Sequence, residues 1–373
     1  MHQVVSRKCM RFMGAFSLTV VSLAASSYAQ QSAQHYTQTN LVSDIPGAAA
    51  FTDPNLVNPW GLSRSSGSPW WVSDNGTGLA TLYDGAGNTK PLVVTIPPAD
   101  SNSPTGTPTG TIFNGGSGFE VGPKQPAIFL FVTEDGTISG WNPKANATVA
   151  IIKVNNKEKS VFKGVTMATV DLPIFGPQSF LYVADFRKGR VQIYDSSFQH
   201  VPHMEEAFDD DRLPHGFAPF NVQNIGGNIY VAFAQQDSAK HDEVDGAGLG
   251  YVDVFSPEGR LLKRLEHGPW FNAPWGLVQA SGDFGINSHD ILVGNFGSGE
   301  ILAFDPVTGH FKGRLQNTSN TPITIDGLWG LSFGSGTGSG PGNTLYFSAG
   351  TNHEQDGLFG NLTPVENVQG NDQ

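Results

Sequence analysis

The sequence repeats a short element, Pro59-Trp60-Gly61-Leu62, at Pro274-Trp275-Gly276-Leu277. A third copy, which lacks the proline, reads Leu328-Trp329-Gly330-Leu331. Weaker versions occur at Thr109-Gly110-Thr111-Ile112, Lys163-Gly164-Val165 and Ala218-Pro219-Phe220-Asn221. Six similar elements at a nearly regular spacing are typical of a repeat architecture, in which each repeat is one supersecondary unit.

Each element is followed by a short apolar strand that ends at a polar residue, and then by a third strand that ends in a turn. Two of the second strands read Leu181-Tyr182-Val183-Ala184-Asp185 and Ile291-Leu292-Val293-Gly294-Asn295. Third strands end at Asp84-Gly85 and Asp305-Pro306, where these residue types supply the turn dihedrals. The interval between successive elements, as from Gly276 to Gly330, has the length of one propeller blade. We therefore predict an all-β fold, a six-bladed β-propeller of four-stranded antiparallel blades.

The last repeat contains only three strands before the polar end of the chain. Residues 36–43, with the sequence Tyr-Thr-Gln-Thr-Asn-Leu-Val-Ser, precede the first inner strand and alternate enough to form a strand themselves. We predict that this N-terminal strand becomes the outer strand of the last blade and closes the ring. The alternative is a disordered N-terminus, because chain ends fray unless they are tied down.

The first residues have the three-part pattern of a secretory signal. Arg7, Lys8 and Arg11 form a basic region, residues 12–25 are apolar, and Ser27-Tyr28-Ala29 places small residues at a cleavage site. We predict a signal peptide at 1–29 and one propeller domain at 30–373 with a disordered tail at 364–373. The alternative is an uncleaved anchor, although the apolar stretch is short for a bilayer span. The expected location is the periplasm or the extracellular space, with no transmembrane segment after cleavage.

The chain is acidic, with 33 Asp and Glu against 21 Lys and Arg. An acidic surface repels phosphate backbones, so nucleic acid is not an expected partner. The single cysteine, Cys9, lies in the predicted signal peptide, so the mature chain has no disulfide and no thiolate metal site. No Gly-x-Ser-x-Gly elbow joins a strand to a helix, and serine catalysis therefore finds no support.

The blade motif at 181–185 and 189–195 resembles the NHL-repeat and gluconolactonase-type six-bladed propellers. Over residues 38–362 the chain is more specifically similar to an uncharacterised family of exported bacterial propellers, some of which end in a PEP-CTERM sorting tail. The stretches that carry this similarity are 55–62, 218–225, 240–242, 272–277, 326–331 and 355–360. The resemblance implies the fold and export but no particular activity. The chain ends in Asn371-Asp372-Gln373, so anchoring through a sorting tail is not implied.

Loops between second and third strands and loops between blades share one face of the predicted propeller, which we call the top face. The opposite, bottom face carries the first-to-second and third-to-fourth loops. Polar residues end the second strands on the top face, and long polar insertions project from it. Loops on a rigid scaffold commonly carry binding sites. We predict binding residues on the top face at Asp74, Asn75, Glu134, Asp185, Gln235, Asn295 and Lys240.

Two insertions on the top face carry imidazole and carboxylate groups, which bind hard or borderline divalent cations. The candidate metal ligands are His241, Asp242, His353, Glu354 and Asp356. The alternative is that both loops are lids whose polar groups hydrogen-bond one another.

A second candidate metal site is a ring at the channel mouth. The resemblance to gluconolactonase-type enzymes implies that this ring would bind calcium through Asp74, Glu134, Asp185 and Asn295. The alternative is that these residues cap turns at the ends of strands.

The sequence leaves two functions open. The first is a binding or scaffolding module whose top face holds a protein or polysaccharide partner. The second is a divalent-metal-dependent hydrolase or lactonase with a cation such as calcium at the channel mouth. Binding is favoured because no complete catalytic set is visible and propellers serve unrelated functions. The tryptophans Trp60, Trp275 and Trp329 are expected to be buried wedges between blades and not sugar-stacking platforms.

Overall fold

The computed structural model describes residues 35–157 and 159–365. The predicted signal peptide lies outside them, and so does the predicted tail from residue 366 onward; Pro364, at which the tail is predicted to begin, is instead the last residue of a strand. Within the described ranges, no helix is long and apolar enough to cross a bilayer.

Four of the six predicted blades are four-stranded antiparallel sheets whose strands lie in chain order from the centre outward. The strands of blade 1 are Pro59–Ser63, Trp70–Asp74, Leu79–Tyr83 and Val94–Thr95. Those of blade 2 are Pro108–Phe113, Phe129–Thr133, Thr137–Trp141 and Ile151–Asn155. Those of blade 4 are Phe217–Ile225, Asn228–Gln236, Tyr251–Phe255 and Leu261–Arg264, with the added strand Glu243–Val244. Those of blade 5 are Pro274–Gln279, Ile291–Asn295, Ile301–Phe304 and Phe311–Arg314. The all-β six-bladed propeller is confirmed.

Blade 6 contains the predicted closure. Its first three strands are Leu328–Phe333, Leu345–Ala349 and Leu358–Pro364, and its outer strand is Tyr36–Ser43 from the N-terminal end. The outer strand pairs antiparallel with Leu358–Pro364 and also carries the short parallel strand Phe51–Thr52. The prediction of an N-terminal closing strand is therefore confirmed with the predicted bounds.

Blade 3 departs from the four-stranded pattern. Its sheet contains the three strands Phe162–Leu172, Gly176–Asp185 and Arg190–Asp195. In place of a fourth, outer strand there is a single β-bridge between Tyr194 and His200. Pro202 begins a short helix, Pro202–Glu205, because proline lacks the N–H that a continued strand would need. The Glu205 carboxylate instead accepts the Ile193 N–H at 3.1 Å, so a side chain replaces a strand carbonyl.

Two further short helical segments and one hairpin lie in loops. They are the 3₁₀ turn Gly285–Asn287, the turn Thr351–Glu354 and the hairpin of Glu120–Gly122 with Gln125–Pro126.

The repeated glycines allow neighbouring inner strands to approach each other closely around the channel. A Cβ on Gly61 would lie 2.6 Å from the Thr109 carbonyl oxygen of blade 2. A Cβ on Gly330 of blade 6 would lie 2.6 Å from the Trp60 carbonyl oxygen of blade 1. Real Cβ atoms do not come this close to backbone, so a side chain here would push adjacent blades apart. The motif that identified the repeat is thus the contact that forms the ring.

Candidate functional site

The ends of the second strands meet the starts of the inner strands around the channel mouth. Asn75 N donates to Asn58 O at 3.0 Å in blade 1, and Glu134 N donates to Thr107 O at 3.1 Å in blade 2. Gly350 N donates to Gly327 O at 2.9 Å in blade 6. Because the same contact recurs in each blade, polar residues beside these positions come together on the top face.

Lys163 lies at the centre of this group. It precedes Gly164 on the inner strand of blade 3, and only 1% of its side chain is exposed. Its Nζ donates to Glu134 Oε1 of blade 2 at 2.5 Å and to Asp242 Oδ1 of blade 4 at 3.3 Å. The ammonium also lies 5.0 Å from the centroid of the Trp60 ring, within the range of a cation–π contact.

Lys163 remains positively charged. Burial by itself lowers the pKa of its ammonium, but attraction to Glu134, Glu243 and Asp242 outweighs burial, and the pKa lies above its usual range. A lysine with a raised pKa is a poor nucleophile at neutral pH, because the free amine is scarce. Its role in this position is electrostatic.

Carboxylates at the channel mouth outnumber the lysine. Burial raises the pKa of the Glu243 carboxyl to about 7; Lys163 opposes this shift, and Glu354 and Asp242 add to it by repulsion. Burial likewise raises the pKa of Glu354. The hydrogen bond from Asn58 lowers this pKa, and repulsion from Glu134 raises it further. Both shifts are caused mainly by burial, and repulsion from neighbouring carboxylates adds to them.

The exposed rim of the site is a histidine–carboxylate pair. His241 Nδ1 and Asp242 Oδ1 are 2.8 Å apart, with side-chain exposures of 41% and 64%. Their hydrogen bond is the main reason that the pKa of His241 is raised and that of Asp242 is lowered to about 2. A ligand that approaches the mouth from solvent meets this pair first.

Two asparagines of blade 1 orient the other carboxylates. Asn58 Nδ2 donates to Glu354 Oε2 at 2.7 Å, and Asn75 Nδ2 donates to Glu134 Oε2 at 2.8 Å. Asn58 is itself held, because its Oδ1 accepts the indole N–H of Trp329 at 3.1 Å. The carboxylates therefore have fixed positions before any ligand binds.

The loop that supplies Glu354 is strained. Asn352, His353 and Glu354 have consecutive φ angles of 54°, 54° and 64°, in the left-handed region that residues other than glycine rarely adopt. Such strain costs on the order of 1 kcal/mol or more per residue and tends to persist at functional sites. Here it brings Glu354 of blade 6 to Asn58 of blade 1.

An aromatic plug closes the channel below the polar residues. Trp60 and Trp329 stack with ring centroids 3.5 Å apart, and Trp275 meets both of them edge-on at 5.9 Å. Phe220 of blade 4 also packs against Trp60 and Trp329. The tryptophans are buried as expected, but they contact one another in the channel and are not wedges between blades. The channel mouth is thus a concave site that these aromatic rings close at its base, and we call it the basin.

A cavity of about 210 Å³ extends the basin outward on the top face. Glu134 and His241 line the cavity beside the channel mouth, and both acidic and basic side chains line the rest of it, among them Asp100, Asp135, Lys157 and Arg187. The cavity lies beside the 97–108 insertion, so the basin and the cavity together offer a continuous surface to a ligand larger than one functional group.

Three of the predicted binding residues are buried in the turns of their own blades. Asp74 Oδ2 accepts the Thr81 N–H at 3.0 Å, and Asp185 Oδ2 accepts from Gln192 Nε2 at 2.9 Å. Asn295 Oδ1 accepts the Asn272 N–H at 3.1 Å. All three side chains are inaccessible to solvent. The contacts match the turn-capping alternative, so the calcium ring inferred from the resemblance is not assembled.

The remaining predicted residues divide between the basin and its surroundings. Asn75 and Glu134 lie in the basin. Gln235 is half-buried on the second strand of blade 4, where its backbone pairs with Val244. Lys240 is exposed on the turn that precedes His241, with a positive φ of 53°.

The predicted five-residue metal site is not assembled either. In the described parts of the chain, the one set of at least three acidic, histidine or cysteine side chains close enough to share an ion is Glu134, His241 and Asp242. His353 is exposed, and Asp356 accepts a hydrogen bond from Asn352 at 2.8 Å within its own loop. Because the two insertions come from non-adjacent blades, only Glu354 reaches inward from the blade 6 loop.

The repeat pattern includes Lys163 in the inner-strand element of blade 3 but does not mark it as the centre of the site. A usable signal was present, since Lys163 interrupts the apolar run Val161-Phe162-Lys163-Gly164-Val165. A lysine buried in such a run requires carboxylate partners.

No protein-family model matches the chain. The chain is similar in sequence to two proteins of Acanthamoeba polyphaga mimivirus. Uncharacterized protein R648 is 31% identical over 331 residues, covering 86% of this chain and 78% of that protein. Uncharacterized protein L690 is 31% identical over 335 residues, covering 86% and 84%. A solved structure of a Bacteroides thetaiotaomicron protein of unknown function has a TM-score of 0.52 at 10% identity, over 88% of this chain and 76% of that one. That likeness shows the fold alone. The predicted relationship to exported bacterial propellers stays a prediction; on the sequence identities, the chain belongs to the same family as R648 and L690.

Proposed function

We propose that the protein is an exported binding module that holds its ligand over the channel mouth. The observation that carries the proposal is the convergence of polar and charged side chains from blades 1, 2, 3, 4 and 6 above a closed aromatic floor. Groups from separate blades are positioned by the rigid ring and fixed by mutual hydrogen bonds. Preorganised polar groups in a concave site favour recognition because little order has to be imposed on binding.

The chemistry of the basin favours a ligand that presents a protonated amine or a guanidinium. The lysine is buried, whereas the carboxylates of Asp242, Glu243 and Glu354 are accessible to different degrees. A cationic group would balance the excess of carboxylates and donate charge-assisted hydrogen bonds to them. The expected partner is therefore a protein or a polysaccharide that carries basic groups.

Matched ligands test this proposal directly. Chitosan and chitin oligomers differ in whether the sugar carries an amine or an acetamide, and lysine-rich and glutamate-rich peptides differ in the sign of their charge. We expect the purified protein to bind the amine-bearing member of a pair. Glu354→Gln and Asp242→Asn should each weaken this binding roughly tenfold, the effect of losing a charged hydrogen-bond partner.

Glu258→Gln provides the control, since Glu258 is exposed on a bottom-face loop. It should bind as the wild-type protein does. Equal binding of both members of each pair, or equal losses in the Glu258 and Glu354 variants, would contradict the proposed site.

A second candidate function is a metal-dependent hydrolase or lactonase, favoured by the grouping of Glu134, His241 and Asp242. In this arrangement the Lys163 ammonium already contacts two of the three groups. A divalent cation would have to displace it, which makes a metal site the weaker hypothesis. Calorimetric titration with calcium decides between the two, because stoichiometric binding to the wild-type protein would favour the enzyme.

A further inference from the structure

The most exposed large apolar side chains of the described residues all lie on the bottom face. Ile174, Val307 and Phe175 are 86%, 81% and 73% exposed, and Ile286 is 52% exposed. The other exposed large apolar side chains do not exceed 41%. Single exposed apolar residues are ordinary, but a concentration of them on one face indicates an interaction surface.

Ile174 and Phe175 form the tip of a long hairpin in blade 3. Its strands, Phe162–Leu172 and Gly176–Asp185, stay paired as far as Leu172 and Gly176. The corresponding strands have five or six residues in blades 1, 2, 5 and 6 and nine residues in blade 4, against eleven and ten here. The hairpin therefore projects beyond its neighbours and presents two apolar side chains at its end.

The bottom face also carries a groove that the tip would fit. The groove lies between blades 1 and 6, has a volume of about 530 Å³, and is walled mainly by Pro69, Ala86, Gly338, Gly340 and Pro341. One end is polar, where Lys90 pairs with Asp84. The exposed side chains of the tip, Ile174 and Phe175, are apolar, so the tip matches the mainly apolar walls of the groove in polarity.

Blade 3 lies across the ring from the boundary between blades 6 and 1, so the tip of one chain does not reach the groove of the same chain. We propose that the occupant of the groove is the hairpin tip of a second copy, in a two-fold dimer joined bottom face to bottom face. In such an isologous pair, any rotation that places one tip in its partner's groove also places the partner's tip in the first groove. Both contacts form together.

The same two-fold operation accounts for the other exposed residues. An axis that pairs blade 3 of one copy with the blade 6–blade 1 boundary of the other passes beside blade 5. Ile286 and Val307 lie on blade 5 and would therefore face their counterparts near the axis. The dimer would direct its two channel mouths away from each other, so that, if the proposed function holds, one particle bridges two ligands.

Sedimentation equilibrium over a roughly hundredfold range of protein concentration tests the dimer, because association follows mass action. The wild-type protein should dimerise. The tip variant Ile174→Ser/Phe175→Ser and the groove variant Ala86→Arg should each be monomeric. Both changes are at exposed positions, so both variants should fold, and circular dichroism checks this. The top-face variant Val244→Ser is the matched control and should dimerise as the wild-type protein does.

Mixing the two monomeric variants gives a sharper test. The groove variant keeps its tip and the tip variant keeps its groove, so the mixture should form heterodimers held by one intact contact. A wild-type protein that stays monomeric throughout, or a dimer that survives both variants, would overturn the proposal. Binding of wild-type protein to phosphatidylcholine vesicles that is lost only in the tip variant would assign the surface to a membrane instead, and would likewise overturn it. None of these outcomes depends on the ligand at the channel mouth.

Discussion

Lys163 of blade 3 and Glu134 of blade 2 form an ion pair of 2.5 Å that is almost completely withdrawn from solvent, with side-chain exposures of 1% and 11%. Burying two charges is favourable only when each is well paired, and removing one partner leaves the other uncompensated. In this protein the pair joins two blades, and the ammonium also serves Asp242 of a third. One side chain therefore couples the stability of the ring to the charge of the basin.

Replacing Lys163 by methionine should destabilise the fold by about 3–5 kcal/mol, because it leaves buried carboxylates without a cation. Chemical denaturation measures the change. Arg314→Met, which breaks the more exposed pair of Arg314 with Glu300, should cost no more than about 1 kcal/mol. Calcium should restore part of the stability of the Lys163 variant and none of that of the Arg314 variant, because Glu134, His241 and Asp242 are then free to bind an ion. Equal losses in the free energy of unfolding for the two variants would show that the buried pair contributes no more to stability than the exposed pair.

The stability of the fold should fall as pH rises from about 4.5 to about 7, through the titration of Glu243. The folded chain holds this proton more tightly than the unfolded chain, because the pKa is raised from 4.5 to about 7. The stabilisation that results from this tighter proton binding is complete at pH values below the pKa in the unfolded chain, and it is lost at pH values above the pKa in the folded chain. In Glu243→Gln this part of the pH dependence should disappear, whereas Glu258→Gln should keep it. Parallel pH profiles for wild type and Glu243→Gln would disprove the assignment.

Binding of a cationic ligand should depend on pH in the opposite sense. As Glu243 loses its proton near pH 7, the basin becomes more negative, and affinity for an amine should rise between pH 6 and pH 8. His241 reinforces the trend, because its raised pKa means that it carries positive charge at the lower pH. Affinity for the lysine-rich peptide, whose amines stay protonated over this range, is measured at the two pH values to check this, and a flat or falling profile counts against a cationic ligand.

Trp275→Ala should cost about 3–5 kcal/mol, the range for a large buried aromatic side chain. Trp275 packs edge-on against two other tryptophans, and its indole N–H donates to the Lys163 carbonyl at 3.1 Å. Trp270→Ala is the matched control, since Trp270 is only half-buried and stacks mainly on Phe311. It should cost clearly less. Denaturation midpoints that do not differ between the two variants would contradict the plug as a stabilising element.

Deleting residues 30–44 should lower the melting temperature far more than deleting residues 365–373. The first deletion removes the outer strand of blade 6 and with it Tyr36, whose hydroxyl donates to Phe284 O and Asn287 Oδ1 of blade 5, both at 2.9 Å. Loss of the strand exposes a sheet edge and opens the ring. Tyr36→Phe keeps the strand but loses both hydrogen bonds, and it should give a smaller, intermediate decrease. Equal melting temperatures for the two deletions would argue against ring closure through this strand.

The repeat motifs by themselves determined the number of blades and the strand that closes the ring. Both are consequences of local patterns: Gly61 and Gly330 mark close contacts between inner strands, and residues 36–43 form a strand with the bounds that the sequence predicts. The sequence also located the top face, because chain direction alternates from strand to strand within a blade. It could not say which polar residues on that face point into the channel.

Only the tertiary structure decided which side chains form the site. Asp74 and Asn75 are adjacent in the chain, yet Asp74 is buried in its own turn while Asn75 orients Glu134, because successive residues at a strand end face opposite directions. Asn58 and Glu354 are 296 residues apart and meet only when the ring closes. The charge balance around Lys163 is likewise set by groups from three other blades, whose distances from the ammonium depend on how the blades pack. Local pattern fixes which strands form, and the packing of the ring fixes which charges meet.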